Sequence, residues 1–351
     1  MKKFAVLLTL ILVCTALTAC GGEEDIPESS SDSAAAVEIV SGAEETGTLA
    51  ETGSDPSTEP EATRAGSSAQ QEAPAQGEQT PVYAPKEYSS YTTQDLWCNN
   101  GGKRIYGKMY LPEGAPSPMP AVILSHSFSL THESMNSYCI ALTRKGYAAY
   151  CFDFCGGSKN SRSDGETTDM TVFTEVSDLE AVLAHMRSLS YIDRDNIFLL
   201  GTSQGGLVSA LAAAEHPTEV KGLILMYPGF SMPEQITSFF KDPDNISDMM
   251  LNMFAMTGMP VGRGYVKTLH GFDVYANIKN YSRDVLILHG SRDFIVPISY
   301  SERAVEVYPH ATLRVIEGAG HGFNSENMSI GGDFDGVVLP YVYEYLQAHT
   351  N

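Results

Sequence analysis

Short apolar runs alternate with longer amphipathic stretches along most of the chain. Seven runs have the length of a β-strand: 105–111, 121–124, 147–154, 197–200, 222–226, 285–288 and 313–316. Between them, apolar residues at helical spacing predict helices over 134–145, 172–189, 205–215, 300–307 and 337–347. The first run alternates and predicts an edge strand, whereas uniformly apolar runs such as 121–124 predict buried strands. Together they predict an α/β fold, a mostly parallel sheet covered by helices on both faces.

One long interval departs from this rhythm. More than fifty residues separate the runs 222–226 and 285–288, where a single crossover helix would suffice, and the interval contains six methionines. Because long insertions of this kind usually carry function, we predict a lid over residues 229–282. Flexible methionine side chains suit an adaptable apolar wall for a substrate, but they are equally consistent with packing of the lid against the core.

The first nineteen residues have the features of an export signal. Lys2 and Lys3 precede an apolar core from Phe4 to Val13, which is too short for a membrane-spanning helix. The following Leu17-Thr18-Ala19-Cys20 resembles the lipobox of bacterial lipoproteins, in which the cysteine is lipid-modified and becomes the N-terminus. This resemblance implies a protein that is exported and anchored through lipid on Cys20 to the outer side of a bacterial membrane. An ordinary secretory signal is the alternative.

Residues 20–90 form a polar and acidic segment. From Gly21 to Ser90 the chain has fifteen acidic residues, two basic ones and few large apolar side chains. Such a segment cannot bury enough apolar surface to offset its chain entropy, so we predict a disordered tether. The remainder, 91–351, is long enough for one domain with a single large core. The net charge of the whole chain, −21, argues against a nucleic-acid partner.

A tight turn is predicted where the run 197–200 meets the helix 205–215. The connection reads Gly201-Thr202-Ser203-Gln204-Gly205, a G-x-S-x-G motif between a strand and a helix. In such a turn the serine backbone is strained, and glycine is needed two positions before and after it because a side chain there would collide with neighbouring backbone. The motif and its flanking elements make Ser203 the candidate nucleophile.

Two further residues supply the groups that a serine nucleophile requires. A base must accept the hydroxyl proton, and an acid must orient the base. Asp293 follows the run 285–288, and His321 lies in a glycine-rich loop after 313–316. Both are thereby placed at the carboxyl edge of the predicted sheet, where ligands bind in open α/β sheets. The order serine, aspartate, histidine along the chain predicts a triad of Ser203, His321 and Asp293.

The negative charge of a tetrahedral intermediate needs two backbone N–H donors, which form an oxyanion hole. The residue after the nucleophile supplies one donor, here Gln204. The loop after 121–124 supplies the other, which we assign to Phe128, with Ser127 as the alternative. The ring of Phe128 is also suited to wall the acyl pocket.

Several motifs together resemble those of the bacterial cinnamoyl and feruloyl esterases of the α/β-hydrolase superfamily. They are Ser163-Asp164-Gly165-Glu166, Met170 to Phe173, Gly201 to Gly206, Gly271-Phe272-Asp273-Val274-Tyr275 and Ile316 to His321. The resemblance covers most of residues 94–350. It implies an α/β-hydrolase fold and a serine esterase with an inserted lid, active on esters of phenolic or other modest-sized acids. Two positions depart from the family pattern: Thr202 stands where histidine is usual, and Ser127 where glycine is usual.

Two other classes of function stay open on the sequence. A serine peptidase of the same fold, related to aminopeptidases or dipeptidyl peptidases, would need charged groups that capture a peptide amine, and the methionine-rich lid offers few. A binding lipoprotein without catalysis would have no need for all three triad groups. The expected partners are a small-molecule ester and, through the lipid, a membrane.

Neither a metal nor a cofactor is expected. Asp242-Pro243-Asp244 and Asp333-Phe334-Asp335 lack the further oxygen ligands of an EF-hand loop. The four cysteines of residues 91–351 have no zinc-like spacing, and we expect them to be buried thiols. They are Cys98, Cys139, Cys151 and Cys155.

Overall fold

The computed structural model of the protein describes the backbone of residues 36–40 and residues 86–246, 258–325 and 334–351. The predicted signal peptide and Cys20 lie outside these residues, as do four of the six methionines of the predicted lid. The predicted boundary between tether and domain at residue 91 falls inside a described range. Tyr88 is already buried there, and its N–H donates to the Arg144 carbonyl at 2.8 Å.

A single mixed sheet of nine strands forms the centre of the described structure. The strands are β1 Ala36–Val40, β2 Tyr91–Asn100, β3 Lys103–Pro112, β4 Met119–Ser125, β5 Ala148–Phe152, β6 Ile192–Thr202, β7 Gly222–Met226, β8 Val285–Gly290 and β9 Ala311–Ile316. Their spatial order is β1-β9-β8-β7-β6-β4-β5-β3-β2. Six neighbouring strands are parallel to one another: β9, β8, β7, β6, β4 and β5. The predicted mostly parallel sheet is therefore confirmed.

Helices cover both faces of this sheet. On one face lie α1 Asn136–Arg144, which follows the 3-10 turn His132–Met135, and α8 Asp335–His349. On the other face lie α2 Val172–Ser188, α3 Gln204–Glu215, α4 Met232–Phe239, α5 Arg263–Leu269, α6 Val274–Ile278 and α7 Ser299–Val307. Strands β4, β5, β7 and β8 are buried along their whole length between these layers, as their uninterrupted apolar sequences predict.

The two ends of the sheet differ from the sequence prediction. The run 105–111 becomes β3, an interior strand between β2 and β5, so the expectation of an edge strand is wrong. The true edge is β2, which the hydrophobic pattern misses because most of its residues are exposed. At the opposite end, β1 pairs antiparallel with β9, although its residues belong to the segment expected to be disordered. For these five residues that expectation is wrong, because the β-branched sequence Ala-Val-Glu-Ile-Val can pair with an otherwise open strand edge.

The topology gathers four loops at one edge of the sheet. Because β4, β6, β8 and β9 are parallel, the loops that follow them open on the same side. These loops carry residues 126–131, Ser203, Asp293 and His321. The insertion between β7 and β8, residues 227–284, begins at this edge as well and supplies α4, α5 and α6. Among the described residues, none of the helices combines the length and apolar character that crossing a bilayer requires.

Candidate active site

The backbone at Ser203 has the strained geometry that a nucleophile turn requires. Its φ of 49° and ψ of −117° lie in a region that side-chain-bearing residues rarely adopt. A Cβ on Gly201 would lie 2.2 Å from the Gly205 carbonyl oxygen, and one on Gly205 would lie 2.4 Å from the carbonyl oxygens of Ser125 and His126. The glycines are therefore required by backbone contact, and Ser203 stands at the sharp junction between β6 and α3.

The structure brings the three predicted residues of the triad together. His321 Nε2 lies 3.0 Å from Ser203 Oγ, and His321 Nδ1 lies 2.7 Å from Asp293 Oδ2. Since a carboxylate can only accept, Nδ1 donates to Asp293 and Nε2 is left to accept from the Ser203 hydroxyl. The arrangement has the connectivity of a nucleophile, a base and an orienting acid.

Asp293 is held ionised in a buried position. Its Oδ1 accepts from the backbone N–H groups of Ile295 and Val296, both at 2.9 Å. Burial by itself raises the pKa of the Asp293 carboxyl, but hydrogen bonds from His289 and His321 outweigh burial and lower the pKa to about 2. His289 is a contact that the sequence analysis misses. It lies at the end of β8, four residues before Asp293, and its Nε2 is 3.3 Å from Asp293 Oδ2.

The two predicted oxyanion donors lie at the start of α3 and on the loop after β4. Gln204 is the first residue of α3, and among the described residues its backbone N–H has no acceptor, nor has that of Phe128. The loop of Phe128 is fixed on both sides. His126 accepts from the Phe154 N–H through Nε2 at 3.3 Å, and the following residue, Ser129, has a φ of 62°. Phe128 itself is half-buried, so its ring faces partly open space.

The two residues that depart from the family pattern contact each other. Ser127 Oγ and Thr202 Oγ1 are 2.9 Å apart and join the loop after β4 to the residue before Ser203. Tyr227, which directly follows β7, forms hydrogen bonds with both Thr202 and Ser127. Burial raises the pKa of its phenol, and hydrogen bonds with Thr202 and Ser127 partly offset the rise. Its ring meets that of His321 edge-on, with centroids 4.7 Å apart. Its place directly after the run 222–226 is the sequence signal that could have identified it.

The side chain of Gln204 has buried partners on both sides. Its Oε1 accepts from the Tyr265 hydroxyl at 2.6 Å, and its Nε2 donates to Glu175 Oε2 at 2.7 Å. Burial holds the pKa of Glu175 well above its usual range. The sequence analysis identifies neither Glu175 nor Tyr265 as part of the site, because no local pattern places either residue near Gln204. Only the tertiary structure brings the three together.

An apolar side chain lies close to the segment that contacts the Ser203 backbone. Met232 Sδ lies 2.7 Å from where a Cβ on Gly229 would be, and the Gly229 N–H donates to the Ser203 carbonyl at 2.7 Å. Phe128 and Met232 are both half-buried, as is typical of a surface that an apolar ligand can cover. The part of the chain that the structure describes holds no group of three or more histidines, cysteines or acids able to bind a metal ion.

The fold and the site define a class of protein. A mostly parallel sheet with a strained serine after β6, an acid after β8 and a histidine after β9 is the α/β-hydrolase fold. A family model described as serine aminopeptidase, S33, matches residues 116–267, a stretch that includes Ser203.

The proteins similar to this chain include a monoglyceride lipase and a proline iminopeptidase. The solved structure of ferulic acid bound to Est1E from Butyrivibrio proteoclasticus is 26% identical, with a TM-score of 0.63 over 72% of this chain and 98% of that chain. The monoglyceride lipase of Rattus norvegicus is 31% identical over 144 residues, 38% of this chain and 43% of its own length. The proline iminopeptidase of Flavobacterium johnsoniae is 28% identical over 128 residues, 36% of this chain and 41% of its own length. This chain thus spans about two fifths of the length of each of these two curated relatives.

Proposed function

We propose that this protein is a serine esterase in which Ser203 attacks the carbonyl carbon of a carboxylic ester. The observation that carries the proposal is the pair of contacts from His321, 3.0 Å to Ser203 Oγ and 2.7 Å to Asp293 Oδ2. Ester hydrolysis fits both the lipase and the Est1E relatives, and it requires only groups that this chain supplies.

The proposed reaction proceeds through an acyl-enzyme. His321 takes the Ser203 proton as Oγ bonds to the carbonyl carbon, and Asp293 stabilises the resulting imidazolium. The backbone N–H groups of Gln204 and Phe128 receive the negative oxygen, and each such donor contributes about 3 kcal/mol to lowering the barrier. His321 then gives its proton to the leaving alkoxide. In the second half, His321 takes a proton from water as the water oxygen bonds to the acyl carbon, and it gives that proton to Ser203 Oγ as the carboxylic acid leaves.

The proposed acyl group is apolar and of modest size, in the manner of cinnamoyl or feruloyl esters. The half-buried Phe128 and Met232 beside the nucleophile support this choice, as does the similarity to a structure that holds ferulic acid. No charged side chain is needed for such a substrate, because aromatic and thioether groups bind an apolar acyl chain by burial.

Peptide hydrolysis is the second candidate, favoured by the aminopeptidase family model and the iminopeptidase relative. An aminopeptidase needs an acid that binds the substrate amine. Two acids of the insertion are already engaged: Glu234 Oε1 accepts from Arg303 at 3.2 Å, and Asp273 caps α6 through two backbone N–H groups. These engagements make the esterase the better supported function.

The test is hydrolysis of a feruloyl ester, a p-nitrophenyl acetate and an aminoacyl p-nitroanilide by the parent protein and by the variant Ser203→Ala. Loss of a nucleophile of this kind costs about 10⁶-fold in kcat, so we expect ester turnover to vanish. The control is Ser209→Ala, in the same helix, whose hydroxyl has no partner among the described residues. Activity of Ser203→Ala within tenfold of the control would contradict the proposal, and preference for the anilide would favour the peptidase.

We further propose that the protein is exported and held at the outer side of a bacterial membrane by lipid on Cys20. The support is the sequence Leu17-Thr18-Ala19-Cys20 after an apolar core and two lysines. A membrane-held esterase of this kind acts on esters outside the cell.

A further inference from the structure

A hydrogen-bonded clamp surrounds Gln204, one of the two proposed oxyanion donors. Tyr265 of α5 donates to its side-chain oxygen at 2.6 Å, and its amide nitrogen donates to Glu175 of α2 at 2.7 Å. All three side chains are only 1% exposed. A buried amide that is bonded through both its oxygen and its nitrogen has little rotational freedom, because rotation away from Tyr265 and Glu175 leaves buried polar atoms unpaired.

Tyr265 also reaches the second proposed donor. Its ring packs against that of Phe128 with centroids 5.9 Å apart. One side chain of the insertion therefore touches both residues whose backbone N–H groups are proposed to bind the oxyanion. Neither contact is to the reacting atoms, so any effect of Tyr265 on catalysis acts through Gln204 and Phe128.

The helix that carries Tyr265 is itself fixed against the body of the domain. A Cβ on Gly262, the residue that precedes α5, would lie 1.8 Å from the Thr168 carbonyl oxygen. The chain at the start of α5 is thus pressed against the loop that leads into α2, the helix of Glu175. The segments that carry Tyr265 and Glu175 therefore contact each other, and both side chains bond Gln204.

We propose that Tyr265 and Glu175 are positioning residues that hold the backbone N–H of Gln204 in the direction the oxyanion requires. The inference rests on the proposed function. Gln204 follows the strained Ser203 and is the first residue of its helix, so no intrahelical carbonyl fixes the direction of its N–H. The side-chain hydrogen bonds of the clamp supply that constraint. It gives the insertion a part in the chemical step for every ester, small acetyl esters included.

The experiment measures kcat and KM for p-nitrophenyl acetate in Tyr265→Phe, with Tyr275→Phe as the matched control. Tyr275 is another buried tyrosine of the insertion, and its hydroxyl donates to the Tyr300 carbonyl at 3.0 Å. We expect kcat of Tyr265→Phe to fall about 10-fold with KM unchanged, less than the 10² to 10³ for complete loss of an oxyanion donor. Tyr275→Phe should keep the kcat of the parent.

Two further readouts separate positioning from stability. A trifluoromethyl ketone, which forms a tetrahedral oxyanion on the nucleophile, should bind Tyr265→Phe about 10-fold more weakly, following kcat/KM, while the affinity for the product acid stays constant. Glu175→Gln preserves an acceptor oxygen for Gln204 and should keep the kcat of the parent, whereas Glu175→Leu should lower kcat as Tyr265→Phe does. The folded state of each variant is checked by urea unfolding.

A double-mutant cycle completes the test. Gln204→Met keeps the backbone N–H but removes both side-chain bonds, so Tyr265→Phe should cost nothing more in that background. Additive losses, a change in KM alone, or equal effects of Tyr265→Phe and Tyr275→Phe would overturn the clamp. These outcomes are distinct from failure of the proposed function, which would show as Ser203-independent turnover in the parent protein.

Discussion

The chemical state of each residue at this site is set by its local backbone conformation and its hydrogen bonds. Ser203 keeps a positive φ because Gly201 and Gly205 allow close backbone approach on either side. Asp293 keeps its charge because hydrogen bonds from two histidines outweigh the effect of its burial. At this scale the chemistry depends on a few atoms whose distances are fixed by larger elements.

Replacing Asp293 by asparagine should disable the base. The amide favours the wrong tautomer of His321 and stabilises the imidazolium less, and the corresponding change in a serine protease lowers kcat about 10⁴-fold. We expect a similar loss on p-nitrophenyl acetate. A nearly unchanged rate in Asp293→Asn, beside a dead variant at another carboxylate, would show that the acid lies elsewhere.

The same residue should make stability depend on acid pH. The folded pKa of Asp293, about 2, is lower than the unfolded value of about 3.9, so its contribution is present above pH ~4 and is lost as the pH falls toward 2. The shift corresponds to roughly 2 kcal/mol. Urea unfolding at pH 5 and pH 2.5 should show a smaller loss in Asp293→Asn than in the parent. Equal losses in the two proteins would refute this.

Ser127 and Thr202 should behave as a coupled pair. Ser127→Ala and Thr202→Val each remove one partner of the 2.9 Å contact, so the free energy of unfolding should fall by about 1 kcal/mol in each, and the double variant should lose little more. Thr143→Val serves as the control, because Thr143 bonds the Cys139 carbonyl and shares no partner with Ser127. Its effect should add to that of Ser127→Ala. Strict additivity for Ser127 and Thr202 would mean that the contact carries no coupling.

At the scale of elements, the loop after β4, the turn after β6 and the insertion form one packed unit. The loop touches the turn through Ser127 and Thr202, and the insertion reaches both through Tyr265. The start of α3 is pressed against the end of β4 at Gly205. Close backbone approach of this kind tolerates no added atoms.

Two helical glycines provide a matched comparison of this constraint. Gly205 and Gly336 are each the second residue of their helices, α3 and α8. A Cβ on Gly205 would meet two carbonyl oxygens at 2.4 Å, whereas a Cβ on Gly336 meets nothing within 4 Å. Gly205→Ala should lower the free energy of unfolding by roughly 1–3 kcal/mol and abolish turnover. Gly336→Ala should leave activity intact and raise stability by about 0.5–1 kcal/mol. Similar urea midpoints for both variants would contradict the steric account.

At the scale of the whole molecule, the sheet is longer than the predicted domain. β1 closes the β9 edge and begins sixteen residues after Cys20 in the sequence. The sheet therefore begins much closer in sequence to the proposed lipid attachment site than it would if the domain began at residue 91. An edge strand supplied by the protein itself also protects β9 from pairing with other chains.

Lipid attachment is tested on the full chain in a bacterial host. Cys20→Ala should leave the protein folded and active but free of lipid, because no other cysteine follows the small residues Thr18 and Ala19. Cys14→Ala, six residues earlier in the apolar core, is the matched control and should still be modified. Mass spectrometry of the mature N-terminus measures the outcome. An unmodified Cys20 in the parent protein would rule the anchor out.

The sequence by itself determined the seven strands from β3 to β9 and the helices α1, α2, α3, α7 and α8, and it singled out Ser203, Asp293 and His321 as the candidate triad. Short apolar runs that alternate with amphipathic stretches are typical of buried parallel strands, and a glycine-flanked serine between a strand and a helix is typical of a tight nucleophile turn. Tertiary structure alone decided what pairs across distance: β3 as an interior strand, β1 at the β9 edge, Tyr227 against His321, and the clamp on Gln204. Local patterns record which face of an element is buried, whereas these contacts depend on how separate elements meet, which no local pattern encodes.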